Sequence, residues 1–199
     1  MQLLKNDGLA FDESKHEYKL NGIILPSVTQ IMNPLRESNY GGIPEYVLQR
    51  AADRGTAVHQ AIDIYLNYGM IDIEPHYSEY VDAFLKWKGE VNPTILATEQ
   101  AIYHPSMMYC GTADCVCEIG GKIVLIDYKT TSTVHDKLVR VQLQAYESAL
   151  VEHGIQIEEK RILQLKGGGE YAEYIYPAQD VESWRVFTAL KTVHDYIKK

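Results

Sequence analysis

Between positions 111 and 129 the chain reads GTADCVCEIGGKIVLIDYK, two apolar runs broken by Gly120-Gly121. The pattern predicts two strands joined at a tight turn. In the second run, alternation puts Ile123, Leu125, Asp127 and Lys129 on one face and Val124, Ile126 and Tyr128 on the other. Apolar residues on both faces predict an interior strand, covered on both sides. Such a strand has little reason to end in Asp127 and Lys129 unless something there uses them. Folding at the Gly-Gly turn brings Asp114, three residues into the partner strand, close to Asp127.

The other elements follow from the same periodicities. Residues 16–20 and 23–25 flank Asn21-Gly22, a pair suited to the positive φ angles of a type I′ turn, and predict a hairpin. Ser27 with Gln30 three residues on forms a capping box, opening a short helix that ends near Asn33-Pro34. Residues 36–42 are polar and glycine-bearing and read as a loop. From Pro44 to about Tyr68 the pattern is helical, with Gly55 a possible break and His59 in an inward stripe with Gly55, Ile62 and Leu66. A second helix covers 77–89, with Tyr80, Phe84 and Trp87 on one face.

Strands are predicted at about 94–103, 111–119 and 122–129, then a helix at 137–153 ended by Gly154. The stripe of that helix is Val139, Leu143, Tyr146, Ala149 and Leu150, and Gln142 falls inside it. A buried glutamine wants a hydrogen-bond partner, here a backbone group or a group at the end of the 122–129 strand. Further strands at 158–166 and 173–176 surround Gly167–Gly169, read as a hairpin turn or a phosphate cradle. A closing helix spans 180–199. The order predicts an α/β fold: a central mixed sheet flanked by helices, with an N-terminal hairpin and helical extension.

The 199 residues suit one domain, divided into an extension (1–50), a core (51–176) and a closing helix (177–199). No apolar run approaches the ~20 residues of a membrane span, and the first residues lack the apolar core of a signal peptide. Cys110, Cys115 and Cys117 crowd into one strand region, which fits reduced thiols and a cytoplasmic location. No fourth ligand accompanies them, so no iron–sulfur cluster is expected and buried small residues are the reading. A net charge of −8 argues against coating nucleic acid through bulk electrostatics, but not against a local basic groove.

Two carboxylates held together, Asp114 and Asp127, repel unless a cation sits between them, and Lys129 partly offsets that repulsion. With a divalent metal, such a set activates water next to a phosphate. Asp-x-Lys alone also describes an ordinary ion pair at a strand end, and a lone inward histidine is also a hydrogen-bonded core residue.

Taken together, G-T-A-D (Gly111 to Asp114), D-Y-K (Asp127 to Lys129), Q-L-Q-A-Y (Gln142 to Tyr146) and R-G-T-A-V-H (Arg54 to His59) resemble the PD-(D/E)XK nuclease superfamily in its RecB-like branch. L-P-S-V-T-Q-I (Leu25 to Ile31) resembles the segment before the histidine helix in phage and mitochondrial exonucleases. The resemblance runs from about Leu25 to Lys166 and implies a restriction-endonuclease-like core in a single nuclease domain. It implies Mg²⁺ or Mn²⁺ on Asp114 and Asp127, completed by His59 and the Tyr128 carbonyl, with Glu99 a further carboxylate for a second metal or an outer position. Lys129 would position or help deprotonate water and stabilise transition-state charge; Gln142 would hold the site or DNA, and Tyr146 would pack or touch substrate.

The activity implied is a metal-dependent DNA exonuclease acting on single strands or ends, in phage-type replication, recombination or repair, within a bacterial or phage-infected cell. A recombination or replication protein is the implied partner. The same residues also fit a structure-specific endonuclease, or a non-catalytic DNA-end-binding module had a ligand been missing. No helicase motif accompanies them. Arg36, Arg50, Arg54, Lys129, Lys137, Arg140, Lys160, Arg161 and Lys166 are the basic residues available for a DNA track, and the fifteen tyrosines include candidates for stacking on unpaired bases.

Overall fold

The computed structural model describes residues 3–4, 8–12 and 17–198. His16 and Lys199, expected at the start of the first hairpin and the end of the last helix, lie outside the described residues. The chain opens with a small antiparallel sheet of β1 (Leu9–Asp12), β2 (Glu17–Leu20) and β3 (Ile23–Leu25). Asn21 and Gly22 join β2 to β3 with φ of 51° and 85°, the conformation that Asn-Gly adopts at little cost. β1 adds a strand that the hairpin signal did not announce.

The capping box forms as expected. Ser27 Oγ accepts the Gln30 N–H and the Gln30 side chain accepts the Ser27 N–H, starting α1 (Val28–Ile31). The expected loop at 36–42 is instead largely helix, α2 (Asn33–Tyr40). Pro34 in its first turn supplies a ready-made helical φ, and the Gly41 N–H closes the last turn on the Glu37 carbonyl. The helix buries no residue fully, and only Leu35 and Tyr40 reach the core from it. α3 (Glu45–Tyr68) follows from Pro44 at its N-cap, runs unbroken through Gly55 and ends on Gly69 in a left-handed conformation. α4 (Ser78–Val91) is next.

β4 (Thr94–His104), β5 (Tyr109–Ile119), β6 (Lys122–Lys129), β7 (Glu159–Leu165) and β8 (Tyr171–Pro177) form one mixed sheet in that spatial order. Only β6 and β7 pair in parallel, and α5 (Asp136–Glu152) makes the crossover between them that a parallel pair requires. α6 (Val181–Lys198) closes the chain. The small N-terminal sheet is fastened to β5: Cys110 N donates to Pro26 O at 3.0 Å, and the Tyr18 and Thr112 hydroxyls meet at 2.7 Å. β5 starts at Tyr109, two residues earlier than expected, so Asp114 lies mid-strand rather than three residues in.

Each face of the sheet has its own apolar layer, as the alternation in β6 requires. Leu125 packs with Leu143, Ala149 and Leu150 of α5, Phe187 of α6 and Ile31 of α1. Val124, Ile126 and Tyr128 pack with Val58 and Ile62 of α3 and Phe84 and Trp87 of α4. All three cysteines are buried thiols: Cys115 and Cys117 in the second layer, Cys110 under the N-terminal sheet. Among the described residues no helix is long and apolar enough to cross a membrane.

Phe84 has no exposed surface and touches the rings of Tyr65, Trp87 and Tyr128. Phe84→Ala is expected to cost about 3–5 kcal/mol of stability in urea unfolding. Tyr196→Ala, at a position 82% exposed, is expected to change it by no more than about 0.5 kcal/mol.

Candidate functional site

The β4–β5 register on either side of Glu99 (Thr98 opposite Cys115, Gln100 opposite Ala113) sets Glu99 across from Asp114. The β5–β6 register, ending with Cys115 opposite Ile126, sets Asp114 across from Asp127. Three carboxylates on three adjacent strands therefore form one row across the sheet. The row coincides with a break in the ladders. Glu99 has φ of 44°, a left-handed backbone that costs a side-chain-bearing residue of order 1–3 kcal/mol. Asp114 Oδ2 accepts the Tyr128 N–H at 2.7 Å, so a side chain stands where a main-chain partner would.

His59 reaches this row from α3. Its Nδ1 lies 3.5 Å from Asp114 Oδ2 and 3.7 Å from Glu99 Oε1, and its Nε2 lies 3.2 Å from the Tyr128 carbonyl oxygen. Donor atoms of His59, Glu99 and Asp114 all fall within 4.8 Å of one another, a group able to hold a metal ion. Two carboxylates, one imidazole and a neighbouring carbonyl suit a hard divalent ion. Asp127 is not in that group. It is 2% exposed, and its Oδ2 pairs with the Lys129 ammonium at 2.6 Å.

The electrostatics follow from crowding negative charge in a recess. Burial first, then repulsion from Asp127 and Glu99, pushes the Asp114 carboxyl up to about 7, against the pull of His59 and Lys129. Burial disfavours a charged His59 ring, but Asp114 and Glu99 more than compensate and raise it to about 9. Burial also opposes the Lys129 ammonium, yet Asp127 and Asp114 hold it above the ordinary lysine range. A charged imidazole thus sits among three oxygen acceptors, in the place a cation would take.

From the opposite face, α5 supplies the support. Gln142 Oε1 accepts from Lys129 Nζ at 3.1 Å, and Gln142 Nε2 donates to the Tyr146 hydroxyl at 3.2 Å. Of the two partners open to Gln142, the one at the strand end is realised. Tyr146 lies against Gly111, where a Cβ would come within 2.7 Å of its ring. Gly111 therefore clears the space for the Tyr146–Gln142–Lys129 chain. Its place in G-T-A-D was legible; its reason needed α5 to be docked.

Sequence reasoning missed two supports of the neighbouring loop. Gln164 Nε2 donates to the Thr131 and Ser132 carbonyls at 2.8 and 3.1 Å. Arg54, counted only as a basic residue, donates to Thr130 Oγ1 (3.3 Å) and the Thr130 carbonyl (3.0 Å), tying α3 to the end of β6. Other basic residues are withdrawn from the expected DNA track. Lys160 is 1% exposed and donates to Gln144 at 2.6 Å. Arg161 pairs with Glu159 and Glu173, and Arg140 with Asp180. Lys160 and Arg161 sit on β7 and Arg140 on α5, each with its charge engaged by a carboxylate or an amide. Gly167–Gly169 forms the turn between β7 and β8, and its Gly168 N–H is taken by Glu79 at 2.6 Å.

No protein-family model matches this chain, and no curated protein does. Solved structures resemble it in part, two among them as follows. One is described as the crystal structure of SSO0001, with 17% identity over 73% of this chain and 75% of that one, at a TM-score of 0.37. The other is LHK-Exo in complex with dAMP, with 14% identity over 71% and 83%, at a TM-score of 0.38. Neither likeness is close enough to define a class.

A metal at His59, Glu99 and Asp114 must displace the protons that the raised His59 and Asp114 values hold near neutrality. Manganese affinity is therefore expected to rise with pH, by at least about tenfold per unit below pH 7, and calorimetry in two buffers should register proton release. A pH-independent affinity would place the metal elsewhere. Gly111→Ala is expected to displace Tyr146 and loosen Lys129, visible as a changed lysine ammonium resonance in a fold that remains intact.

Proposed function

We propose that the chain is a metal-dependent nuclease of the PD-(D/E)XK type that hydrolyses phosphodiester bonds in DNA, acting as an exonuclease on single strands or ends. The observation that carries this reading is the carboxylate row Glu99–Asp114–Asp127, flanked by His59 on one face of the sheet and Lys129 on the other. His59, Glu99 and Asp114, with Asp127 beside them, are the groups that would hold Mg²⁺ or Mn²⁺. Such an ion, when bound, supplies Lewis acidity towards a phosphoryl oxygen and lowers the pKa of a water.

The remaining chemistry belongs to side chains. Lys129 is held by Asp127 and Gln142 with its ammonium kept protonated, which suits it to stabilise negative charge on a phosphoryl oxygen more than to accept a proton. Gln142, steadied by Tyr146, fixes where that charge points. The Tyr146 hydroxyl, which burial keeps protonated, remains a hydrogen-bonding group. The charge favoured on His59 and the raised proton affinity of Asp114 limit repulsion along the row.

Two measurements test this reading. Asp127→Asn is expected to lower DNA hydrolysis by several orders of magnitude in Mn²⁺ while leaving the circular dichroism spectrum unchanged; equal wild-type activity in EDTA would refute the metal mechanism. Lys129→Ala is expected to lower kcat by at least about 10²-fold without weakening Mn²⁺ binding, since removing a cation does not penalise a second one. Weakened metal binding in that variant would make Lys129 structural. Among substrates, linear single strands are expected to be degraded much faster than closed circles, and equal rates would favour an endonuclease.

A further inference from the structure

A cavity of about 680 Å³ begins at Thr130, one residue beyond Lys129. Its walls are the first half of α3, the 130–135 loop, Tyr77 and Tyr80 at the start of α4, and the end of β7. The chain carries 27 acidic against 19 basic residues, yet no Asp or Glu lines this cavity, while Arg50, Arg54 and Lys166 do. A surface that excludes carboxylates in so acidic a protein selects an anion.

The cations are spaced rather than clustered. Tyr46, Arg50 and Arg54 recur every four residues along α3, roughly 6 Å apart on one face. That line leads towards His59. The first half of α3 buries nothing, its fully buried residues being Val58, Ala61 and Ile62, so the Tyr46–Arg50 stretch is held out over the cavity. Arg50 and Lys166 make no side-chain hydrogen bond or ion pair with other described residues. Arg54 spends Nε and Nη2 on Thr130 and lies over the Tyr80 ring at 5.2 Å, leaving Nη1 unpaired among the described residues. Tyr46 is 68% exposed and stacks on no described ring, although Tyr40, Tyr77 and Tyr80 each have a partner.

Separated cations in line with a free aromatic face match a ligand that repeats charge and ring along its length. We propose that this cavity binds an unpaired polynucleotide strand running away from the carboxylate row, with phosphates on Arg50, Arg54 and Lys166 and a base on Tyr46. The inference rests on the nuclease reading for its direction, but it concerns binding and not cleavage.

The test is fluorescence anisotropy of a labelled oligo(dT) on the full chain in EDTA. Arg50→Ala and Lys166→Ala are each expected to weaken binding several-fold and to lower the slope of log affinity against log salt by about 0.7. Tyr46→Ala is expected to weaken binding about fivefold to a hundredfold with the slope unchanged. Lys122→Ala, at the far end of β6, removes the same charge and should change nothing beyond screening. A duplex of equal length should bind more weakly than oligo(dT) and ignore Tyr46→Ala. Failure of wild type to bind oligo(dT), wild-type binding by Arg50→Ala and Lys166→Ala, or dTMP binding as tightly as the oligomer would each overturn the proposal. Loss of the nuclease reading shows separately, as absent hydrolysis in Mn²⁺ with strand binding and its sensitivity to these variants intact.

Discussion

The hydrogen bond from the Tyr128 N–H to Asp114 Oδ2 is where the sheet stops being only a scaffold. A ladder between β5 and β6 has a backbone carbonyl available for each inward N–H. At this point a carboxylate takes that role, and the strands part around it. The cost is a buried acid beside two others; the gain is an oxygen fixed by the sheet itself. Glu99 departs from the ladder at the same level with a left-handed φ, so two neighbouring strands give up regular pairing to aim carboxylates at one point.

Helices on opposite faces then share the task of making that crowding tolerable. From α3 comes His59, whose charge answers Asp114 and Glu99. From the α5 side, Gln142 steadies the lysine that answers Asp127. Neither helix alone would suffice, because the row presents acids towards both faces. Arg54 and Gln164 extend the same arrangement by tying the loop after β6 to α3 and β7. Arg54 thus adds a cation beside the row in a chain whose net charge is −8.

The chain also separates functional from structural charge. Lys160, Arg161 and Arg140 are spent on carboxylates or amides inside the fold. Arg50, Arg54 and Lys166 face the cavity beside Thr130. Counting basic residues along a sequence cannot separate these two sets, since each of the six is a cation near a strand or on a helix.

Local rules were enough for much of the architecture. Alternation in 122–129 assigned its two faces, Asn21-Gly22 and Gly120-Gly121 announced their turns, and Ser27 with Gln30 announced α1, because each depends on residues a few positions apart. The hairpin spacing put Asp114 near Asp127 and Lys129, and only the resemblance to a nuclease superfamily joined His59 and Gln142 to them. α2 and β1 escaped notice because each is short and α2 is polar with only Leu35 and Tyr40 to pack; they are held by a proline start and by pairing. Only the tertiary structure decided that Asp127 is claimed by Lys129 while Glu99 joins His59 and Asp114, and that Gly111 makes room for Tyr146. Those outcomes depend on strand register and on the docking of α3 and α5, which join residues tens of positions apart and leave no local trace.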